Sequence, residues 1–337
     1  LYFVVTRALL QFSDLDYLLV EHSAWWVYPA TQLRLVWAYY GRNLVWPYFM
    51  RPLADIEWAT HLLEPGVLIG ASLMVMMLIG SWRVRVRWPG LAFAMFAYIL
   101  AFLPTSSVLP FRMAATDYRQ LPSIVFLAVG IGAFARWGRR ARLGACGAAI
   151  WFVIGTLSNN TYWRTEQSLW EHSVALGATS VAYNNLALAL SEKDGARAIE
   201  LLREARRLEP EDLWVLGNLT IQVLRAGDRV EGRALADELL AAGPNWAPGL
   251  LMYAQAMEIV GTEEQVGDAS FRAAMLEPRY ERAQLSARWA LYRSLKSRAI
   301  DGKWGAAAAA GNKLHQLVGS EYDSLFLLGS AEEGLGN

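Results

Sequence analysis

Long apolar runs dominate the first half of the chain. Four of them follow one another at about Leu62–Trp82, Pro89–Leu103, Leu121–Ala135 and Leu143–Leu157. A membrane span needs about 20 apolar residues, so the shorter runs must take in flanking residues or lie inside a bundle. Each run alone is also compatible with a buried helix of a soluble protein. Four in succession, with Trp and Tyr at their edges, favour a multi-span transmembrane helical domain.

Two arginine-rich turns predict the orientation of these helices. Trp82–Trp88 reads WRVRVRW and Ala135–Arg142 reads ARWGRRAR. If each run crosses the membrane once, both turns lie on the same side, and the positive-inside rule assigns that side to the cytoplasm. The loop between the second and third runs, and everything after Leu157, is then expected on the opposite side.

Residues 24–60 mix aromatic side chains with Arg34, Arg42 and Arg51. Trp, Tyr and Arg together favour a membrane interface, so this segment is a candidate for an amphipathic helix lying on the outer face. A tilted helix packed against the bundle fits the same pattern. The sequence leaves both interpretations open.

A regular period appears in the second half of the chain. Pro210, Pro244 and Pro278 are evenly spaced, Gly227 and Gly261 are separated by the same interval, and Gly302 and Gly336 repeat it after one irregular spacing. The interval is that of the tetratricopeptide repeat (TPR), about 34 residues forming two antiparallel helices per unit. The glycine allows the turn between the two helices, and the proline ends the second one. We therefore predict a TPR-like α-solenoid, and an all-α fold for the whole chain.

Four segments are expected to be successive first helices of the repeats: YNNLALAL, WVLGNLTIQVL, LLMYAQAMEIV and SLFLLGSAEEG. Such a solenoid is curved, and its concave face typically binds a peptide or another subunit. Acidic residues in this half recur at helical spacing with arginines and are expected to form solvated ion pairs. They are Glu200, Glu204, Glu209 and Glu231. No catalytic constellation is visible there.

Composition supports a division into a transmembrane helical domain, residues 1–160, and a TPR-like domain, residues 161–337. The 337 residues are 55% hydrophobic, and the second part has the Ala-, Leu-, Glu- and Arg-rich composition of soluble helices. The chain begins inside an apolar run without Met and ends at a predicted turn. We expect an internal segment of a longer protein, with the start of the membrane domain missing and the last repeat truncated.

Several classes of function are disfavoured. The single cysteine, Cys146, and four scattered histidines offer no disulfide and no clustered metal ligands, so neither a metal site nor a cofactor is predicted. The net charge is zero, whereas a nucleic-acid-binding domain would carry excess positive charge. The apolar runs contain few polar residues, which argues against a transporter or channel.

The order of short motifs adds a family resemblance. An LP-x-S motif follows the second run, LPS opens the third run, and W-x-x-E-x-x-LW follows the last run. The matching residues are Leu103, Pro104, Ser106, Leu121, Pro122, Ser123, Trp163, Glu166, Leu169 and Trp170, with the stretch Tyr39–Phe49 before them. The chain resembles the C-terminal part of TMTC-type proteins, which are membrane glycosyltransferases of the GT-C class with TPR tails, and of their bacterial relatives.

This resemblance implies transfer of a sugar, typically mannose, from a polyprenyl-phosphate carrier to a protein hydroxyl. The family's catalytic acid lies in an outer loop upstream of this chain, so no residue here is assigned as catalytic. In the loop before Leu121 the family has an arginine where this chain has Asp117. Arg112 and Arg119 are candidate contacts for the carrier phosphate, but an aspartate repels that anion. An Asp117–arginine contact holding the loop is the favoured alternative.

The sequence thus predicts a membrane-anchored TPR scaffold or accessory subunit, non-catalytic as given, in a bacterial inner membrane. Its TPR domain is expected on the periplasmic or exoplasmic side, where it binds a protein partner such as a subunit of a large membrane complex. The bilayer is its other expected partner. The alternative function is the C-terminal part of a polyprenyl-phosphate-sugar-dependent protein O-glycosyltransferase resembling mannosyltransferases.

Overall fold

The computed structural model describes residues 26–45, 58–103, 121–177 and 179–318. Every regular element in those residues is helical, which confirms the all-α prediction for them. Contacts divide the chain into two compact units, with the division between Thr179 and Ser180. The predicted boundary at residue 160 falls inside a helix that ends at Tyr162, while the assignment of the two domains stays a prediction.

The first unit contains short and long apolar helices. Their bounds are α1 Val27–Leu35, a π-helical turn Val36–Gly41, α2 Arg42–Val45, α3 Pro65–Val84, α4 Pro89–Leu103, α5 Leu121–Phe134 with a 3-10 turn Ala135–Trp137, α6 Arg139–Tyr162, and α7 Glu166–Leu176.

Helix α1 packs directly against α3. A Cβ atom added at Gly70 would lie 1.8 Å from the carbonyl oxygen of Leu33, so the two backbones meet where glycine leaves room. The Thr31 hydroxyl accepts a hydrogen bond from the amide of Ala59 at 2.9 Å. Tyr28 is also buried. The described part of this segment is therefore packed against the helices of the unit, while residues 46–57 lie outside the described residues.

Helices α3 and α4 form an antiparallel hairpin closed by the turn at residues 85–88. The buried Ser81 hydroxyl, near the end of α3, donates to the Ala92 carbonyl near the start of α4 at 2.8 Å. The serine hydroxyl thereby has a partner inside an apolar pair of helices, where an unpaired one would cost free energy.

Helices α4 and α5 are also antiparallel. Ser123, in the first turn of α5, donates to the Tyr98 carbonyl in the second half of α4 at 3.2 Å. At the other end of the pair the rings of Trp88 and Trp137 lie 4.0 Å apart. The turn that precedes α4 and the turn that follows α5 therefore share one side of the unit.

Two helices of the first unit, α3 and α6, are long and apolar enough to cross a membrane, by length and composition. In the described residues α4 and the segment Pro122–Trp137 are apolar but shorter. Helix α6 includes the predicted run Leu143–Leu157 and extends it at both ends to 24 residues. The multi-span prediction is therefore not confirmed, although each predicted run is helical.

The second unit is a succession of helical pairs. Their bounds are α8 Ser180–Leu190, α9 Gly195–Leu208, α10 Leu213–Arg225, α11 Arg229–Ala242, α12 Ala247–Val260, α13 Glu263–Leu276, α14 Glu281–Ile300 and α15 Trp304–Val318. Each helix packs on its pair partner, and each pair contacts the next described pair. The arrangement is consistent with a TPR-like solenoid.

Side chains at the helix starts explain where these helices begin. Asp194, Asp212 and Asp228 are N-cap residues whose carboxylates accept backbone amides of the first turn of α9, α10 and α11. Thr262 caps α13 reciprocally with Gln265. Such caps satisfy amides that have no partner within the helix.

Alanines occupy the places where helices of the second unit meet. Ala198, Ala205, Ala236, Ala273 and Ala287 are all completely buried. Small side chains let neighbouring helices approach closely, while leucines such as those of α9 and α11 fill the space between them. The core is therefore continuous from one pair to the next.

The fourth pair departs from the regular period. Helices α12 and α14 each begin one period after the first helix of the previous pair. Helix α15, the second helix of its pair, begins one period and one additional heptad after α13. The additional heptad lengthens α14 to 20 residues, against 13 in α10 and 14 in α12. The prediction that LLMYAQAMEIV and SLFLLGSAEEG are successive first helices is therefore wrong, because α14 lies between them. SLFLLGSAEEG itself is outside the described residues.

A prediction concerns Glu64, which precedes α3. Its carboxylate accepts hydrogen bonds from the amide and hydroxyl of Thr60 and pairs with Arg34 at 3.2 Å. The bonds from Thr60, with smaller contributions from His61 and Arg34, lower the pKa of Glu64 below 4.5. A lowered pKa means that the ionised form stabilises the fold above pH 4.5, and that this contribution is lost as the pH falls through the folded-state value.

We therefore expect Glu64→Gln to lower the melting temperature of the detergent-solubilised protein near neutral pH, and the difference from wild type to disappear in acid. Glu211→Gln, at an exposed glutamate with no ion pair among the described residues, is the control and should melt as wild type does. Wild-type and Glu64→Gln melting curves separated by the same amount at every pH would contradict the expectation.

Candidate functional site

Helix α14 has a buried face and an exposed face of different chemistry. The buried face carries Ala283, Ala287, Ala290, Leu291, Ser294 and Leu295. On the other face Trp289 is 72% exposed and Ile300 is 76% exposed. Tyr292, Arg293 and Lys296 share that exposed face.

The exposed face of α14 borders an open cleft of about 660 Å³. We call it the α14 cleft. The lining residues that matter for its chemistry are Glu258, Trp289, Tyr292, Arg293, Lys296, Ile300 and Asp301. The Asp301 carboxylate pairs with Lys303 at 3.2 Å. Glu258 comes from α12, so the cleft lies between the first helices of two consecutive pairs.

The additional length of α14 forms one end of this cleft. Lys296 and Ile300 lie in its last two turns, beyond the length of the equivalent helices α10 and α12. A helix of the regular length would end near residue 294, so Lys296 and Ile300 would not line this end of the cleft.

Charges around the cleft are partly paired. Arg293 reaches Glu258 at 3.3 Å and Glu263 at 4.0 Å, which joins α14 to α12 and α13. Lys296 is exposed and forms no ion pair with another described residue. The cleft therefore combines two exposed apolar side chains, Trp289 and Ile300, with an available positive charge.

This combination is suited to binding polypeptide. Tryptophan, tyrosine and arginine are the side chains that contribute most to protein interfaces when an apolar partner buries them. An exposed lysine beside them favours a partner with a carboxylate. For the part of the chain that the structure describes, no three His, Cys, Asp or Glu side chains are grouped as metal ligands.

The candidate phosphate contacts Arg112 and Arg119, and Asp117 beside them, lie outside the described residues. Pro104 and Ser106 of the LP-x-S motif also lie outside them. Of the LPS motif, Leu121 and Pro122 open α5, and Ser123 is fully buried. Because its hydroxyl bonds to α4, Ser123 has a packing role here.

The W-x-x-E-x-x-LW motif spans the turn from α6 into α7. Trp163 follows the last residue of α6 and is exposed, and Glu166 begins α7. A carboxylate in the first turn interacts favourably with the helix dipole. Trp170 is half-buried on α7. Nearby, Tyr162 and His172 stack with ring centroids 3.7 Å apart.

The repeat-defining residues lie in the turns. Pro210, Pro244 and Pro278 each lie two positions after the second helix of a pair. Gly227 and Gly302 have positive φ angles of 95° and 71°, a backbone conformation that glycine adopts without strain. Gly261 ends α12 with a negative φ. Gly336 lies outside the described residues.

The predicted acidic residues make the expected surface contacts in part. Glu200 and Glu204 pair with arginines of their own helix, and Glu231 pairs with Arg203 across two second helices at 2.9 Å. A different contact, not foreseen, joins Asn218 to Asn184 at 2.8 Å, one period apart. Polar contacts thus connect equivalent positions of neighbouring pairs.

Sequence reasoning missed the α14 cleft. A signal for it was present, since the interval from Gly261 to Gly302 is one heptad longer than the period. A heptad inserted into a helix adds about two turns and keeps its faces nearly in phase. Together with Trp289 and Tyr292, the interval indicates a longer first helix with an aromatic face.

Comparisons with known proteins identify no family. No protein-family model matches the chain, and no curated protein matches it. Among solved structures, the chain is similar to the crystal structure of MamA protein, with 16% identity over 47% of this chain and 82% of that chain and a TM-score of 0.34. That similarity is too low to carry an argument, so the helical-repeat class is defined here by the observed helical pairs. The TMTC-like resemblance stays a prediction.

Our second prediction separates the exposed face of α14 from its buried face. Leu295, which is fully buried, should lose about 2–5 kcal/mol of unfolding free energy on Leu295→Ala, because a cavity forms. Trp289→Ala and Lys296→Ala should change it by less than about 0.5 kcal/mol. Denaturant unfolding followed by helical circular dichroism measures all three. A large loss for Trp289→Ala would show that this side chain supports the fold instead of facing a partner.

Proposed function

We propose that this protein is a membrane-anchored, TPR-like module that binds a protein partner through the α14 cleft. The observation that carries the protein-binding part is the exposed aromatic and apolar face of α14 beside an available lysine. The regular pairs α8–α13 supply a rigid support for that face. A TPR-like solenoid suits such a role, because each repeat contributes surface to an extended binding site.

Support for the membrane anchor comes from how little of the long apolar helices is covered. Only 17% of the most apolar window of α3 and 11% of that of α6 is buried within the protein. A core helix of a soluble protein would be mostly buried. Exposed apolar surface on this scale needs a bilayer or a partner to cover it, and helices of 20 and 24 residues match a bilayer.

The orientation follows from the two arginine-rich turns. Their apposition at Trp88 and Trp137 supports one cytoplasmic side, as the positive-inside rule requires. A single crossing by α6 would then lead the chain to the opposite side before the repeats begin. We therefore propose that the repeat unit lies on the periplasmic or exoplasmic side of a bacterial inner membrane, where a scaffold role in a larger membrane complex fits.

The glycosyltransferase alternative rests on the order of motifs in the sequence. None of the described contacts adds to it, since Ser123 serves packing and the candidate contacts Arg112 and Arg119 lie outside the described residues. It requires acidic residues in an outer loop upstream of this chain. A complete gene without such residues would end this alternative.

The anchor leads to a third prediction. We expect the chain to remain in the membrane pellet after alkaline carbonate extraction, and a chain shortened by residues 180–337 to remain there as well, because α3 and α6 suffice for insertion. Protease added to spheroplasts should remove the repeat unit and leave the membrane helices. Release of the full chain by carbonate would contradict the anchor, and protection of the repeats until lysis would contradict the orientation.

The cleft leads to a fourth prediction. After mild detergent extraction, Trp289→Ala together with Ile300→Ala should weaken capture of the stoichiometric partner at least about tenfold, as expected for loss of central apolar contacts. Val230→Ala, at an 84% exposed side chain of α11, is the matched control and should capture normally. Equal capture by wild type and both variants would show that the partner binds elsewhere.

A further inference from the structure

Seven exposed arginines lie at one end of the apolar helices of the first unit. They are Arg83, Arg85, Arg87, Arg136, Arg139, Arg140 and Arg142. We call this group the arginine end. It includes the close of α3, the turn into α4, the 3-10 turn after α5 and the start of α6.

The structure joins two turns that are separate in the sequence. Trp88, at the start of α4, and Trp137, before the start of α6, have ring centroids 4.0 Å apart. Phe134 adds a third ring 4.9 Å from Trp137. The arginines therefore flank a shared aromatic contact and form one surface instead of two independent loops.

Positive charge on this surface is not neutralised by the described part of the protein. None of the seven arginines forms an ion pair there, and neither turn contains an aspartate or glutamate. Arg85 instead lies over the ring of Trp82 at 3.5 Å, and Arg87 lies 5.6 Å from the ring centre of Trp88. Like charges gathered on one surface repel one another, and bound anions reduce that repulsion.

The exposed side chains next to the arginine end indicate which anions it would bind. One turn away along α3, Ile79 is 52% exposed, and Trp82 is 67% exposed. An apolar helix surface followed by tryptophan and then arginine is the order in which a protein meets hydrocarbon, the interface and lipid headgroups. A guanidinium group donates two parallel hydrogen bonds to a phosphate.

We propose that the arginine end binds the phosphate groups of anionic phospholipids in the cytoplasmic leaflet. This inference rests on the membrane insertion proposed above. It goes beyond orientation, because the positive-inside rule needs only positive loops, whereas apposition of the two turns creates a site with several guanidinium groups around a few headgroups. Trp82, Trp88 and Trp137 hold that site at the depth of the headgroups.

The test uses the full chain reconstituted in nanodiscs of phosphatidylcholine containing a minor fraction of phosphatidylglycerol. The measured quantity is the phosphatidylglycerol that stays with the protein after extraction into mild detergent, counted by native mass spectrometry. A fourfold variant, Arg85→Gln, Arg87→Gln, Arg139→Gln and Arg140→Gln, should retain at least about fivefold less of it, since each arginine near a surface favours anionic lipid.

Two further variants make the result specific. Four exposed arginines of the second unit, Arg225, Arg229, Arg279 and Arg282, form no ion pairs with described residues. Changing these four to Gln removes the same charge and should leave phosphatidylglycerol retention at the wild-type level. Changing the first four to Lys keeps the charge without the bidentate geometry and should retain an intermediate amount.

The outcomes separate this inference from the proposed function. If wild type and the fourfold Gln variant both resist carbonate extraction but retain equal amounts of phosphatidylglycerol, the lipid site is overturned and the proposed anchor is not. Failure of the wild-type chain to insert would overturn both. Displacement of the lipid by inorganic phosphate at equal phosphate concentration would show that the arginines bind phosphate in general, which would also overturn a lipid site.

Discussion

The second unit depends on one constraint: a helical pair cannot bury its apolar stripe alone and must use the pairs before and after it. Complete burial of Ala205, Ala236 and Ala273 shows how closely the pairs approach. The aspartate and threonine caps set where α9, α10, α11 and α13 begin, which helps the buried stripes to face one another. Only a face that no neighbouring pair covers remains available for a partner, and the exposed face of α14 is such a face.

The first unit satisfies a different constraint, because its two longest helices, α3 and α6, expose most of their apolar surface. Contacts between them are made at positions where polar or small groups meet backbone. Ser81 and Ser123 donate to carbonyls of α4, and Gly70 lets α1 approach α3. Close packing through small and hydroxyl-bearing residues is the way helices associate where the hydrophobic effect between them is absent. The packing of this unit is thus compatible with the membrane anchor that we propose.

Much of the helical order could be predicted from sequence, because it is encoded locally. The spacing of Pro210, Pro244 and Pro278 identified the pairs, and the apolar runs identified α3 to α6. What could not be predicted depends on contacts between distant residues. No local pattern pairs Trp88 with Trp137, and none distinguishes a packed α1 from an interfacial one. The α14 cleft escapes prediction for another reason. The heptad that signals it looks like an irregular interval between two glycines of the repeat.

That added heptad explains how the cleft and the regular core coexist. A heptad turns an α-helix about 20° short of two full turns, so the buried stripe of α14 continues almost in line. Leu295 extends that stripe and remains buried, while Lys296 and Ile300 extend the opposite face, which Trp289 begins, beyond the length of the neighbouring first helices. An insertion that was not close to a whole number of turns would have rotated one face into the other. The length of the insertion therefore permits new surface without loss of packing, which is why the one described repeat that breaks the period is our proposed binding surface.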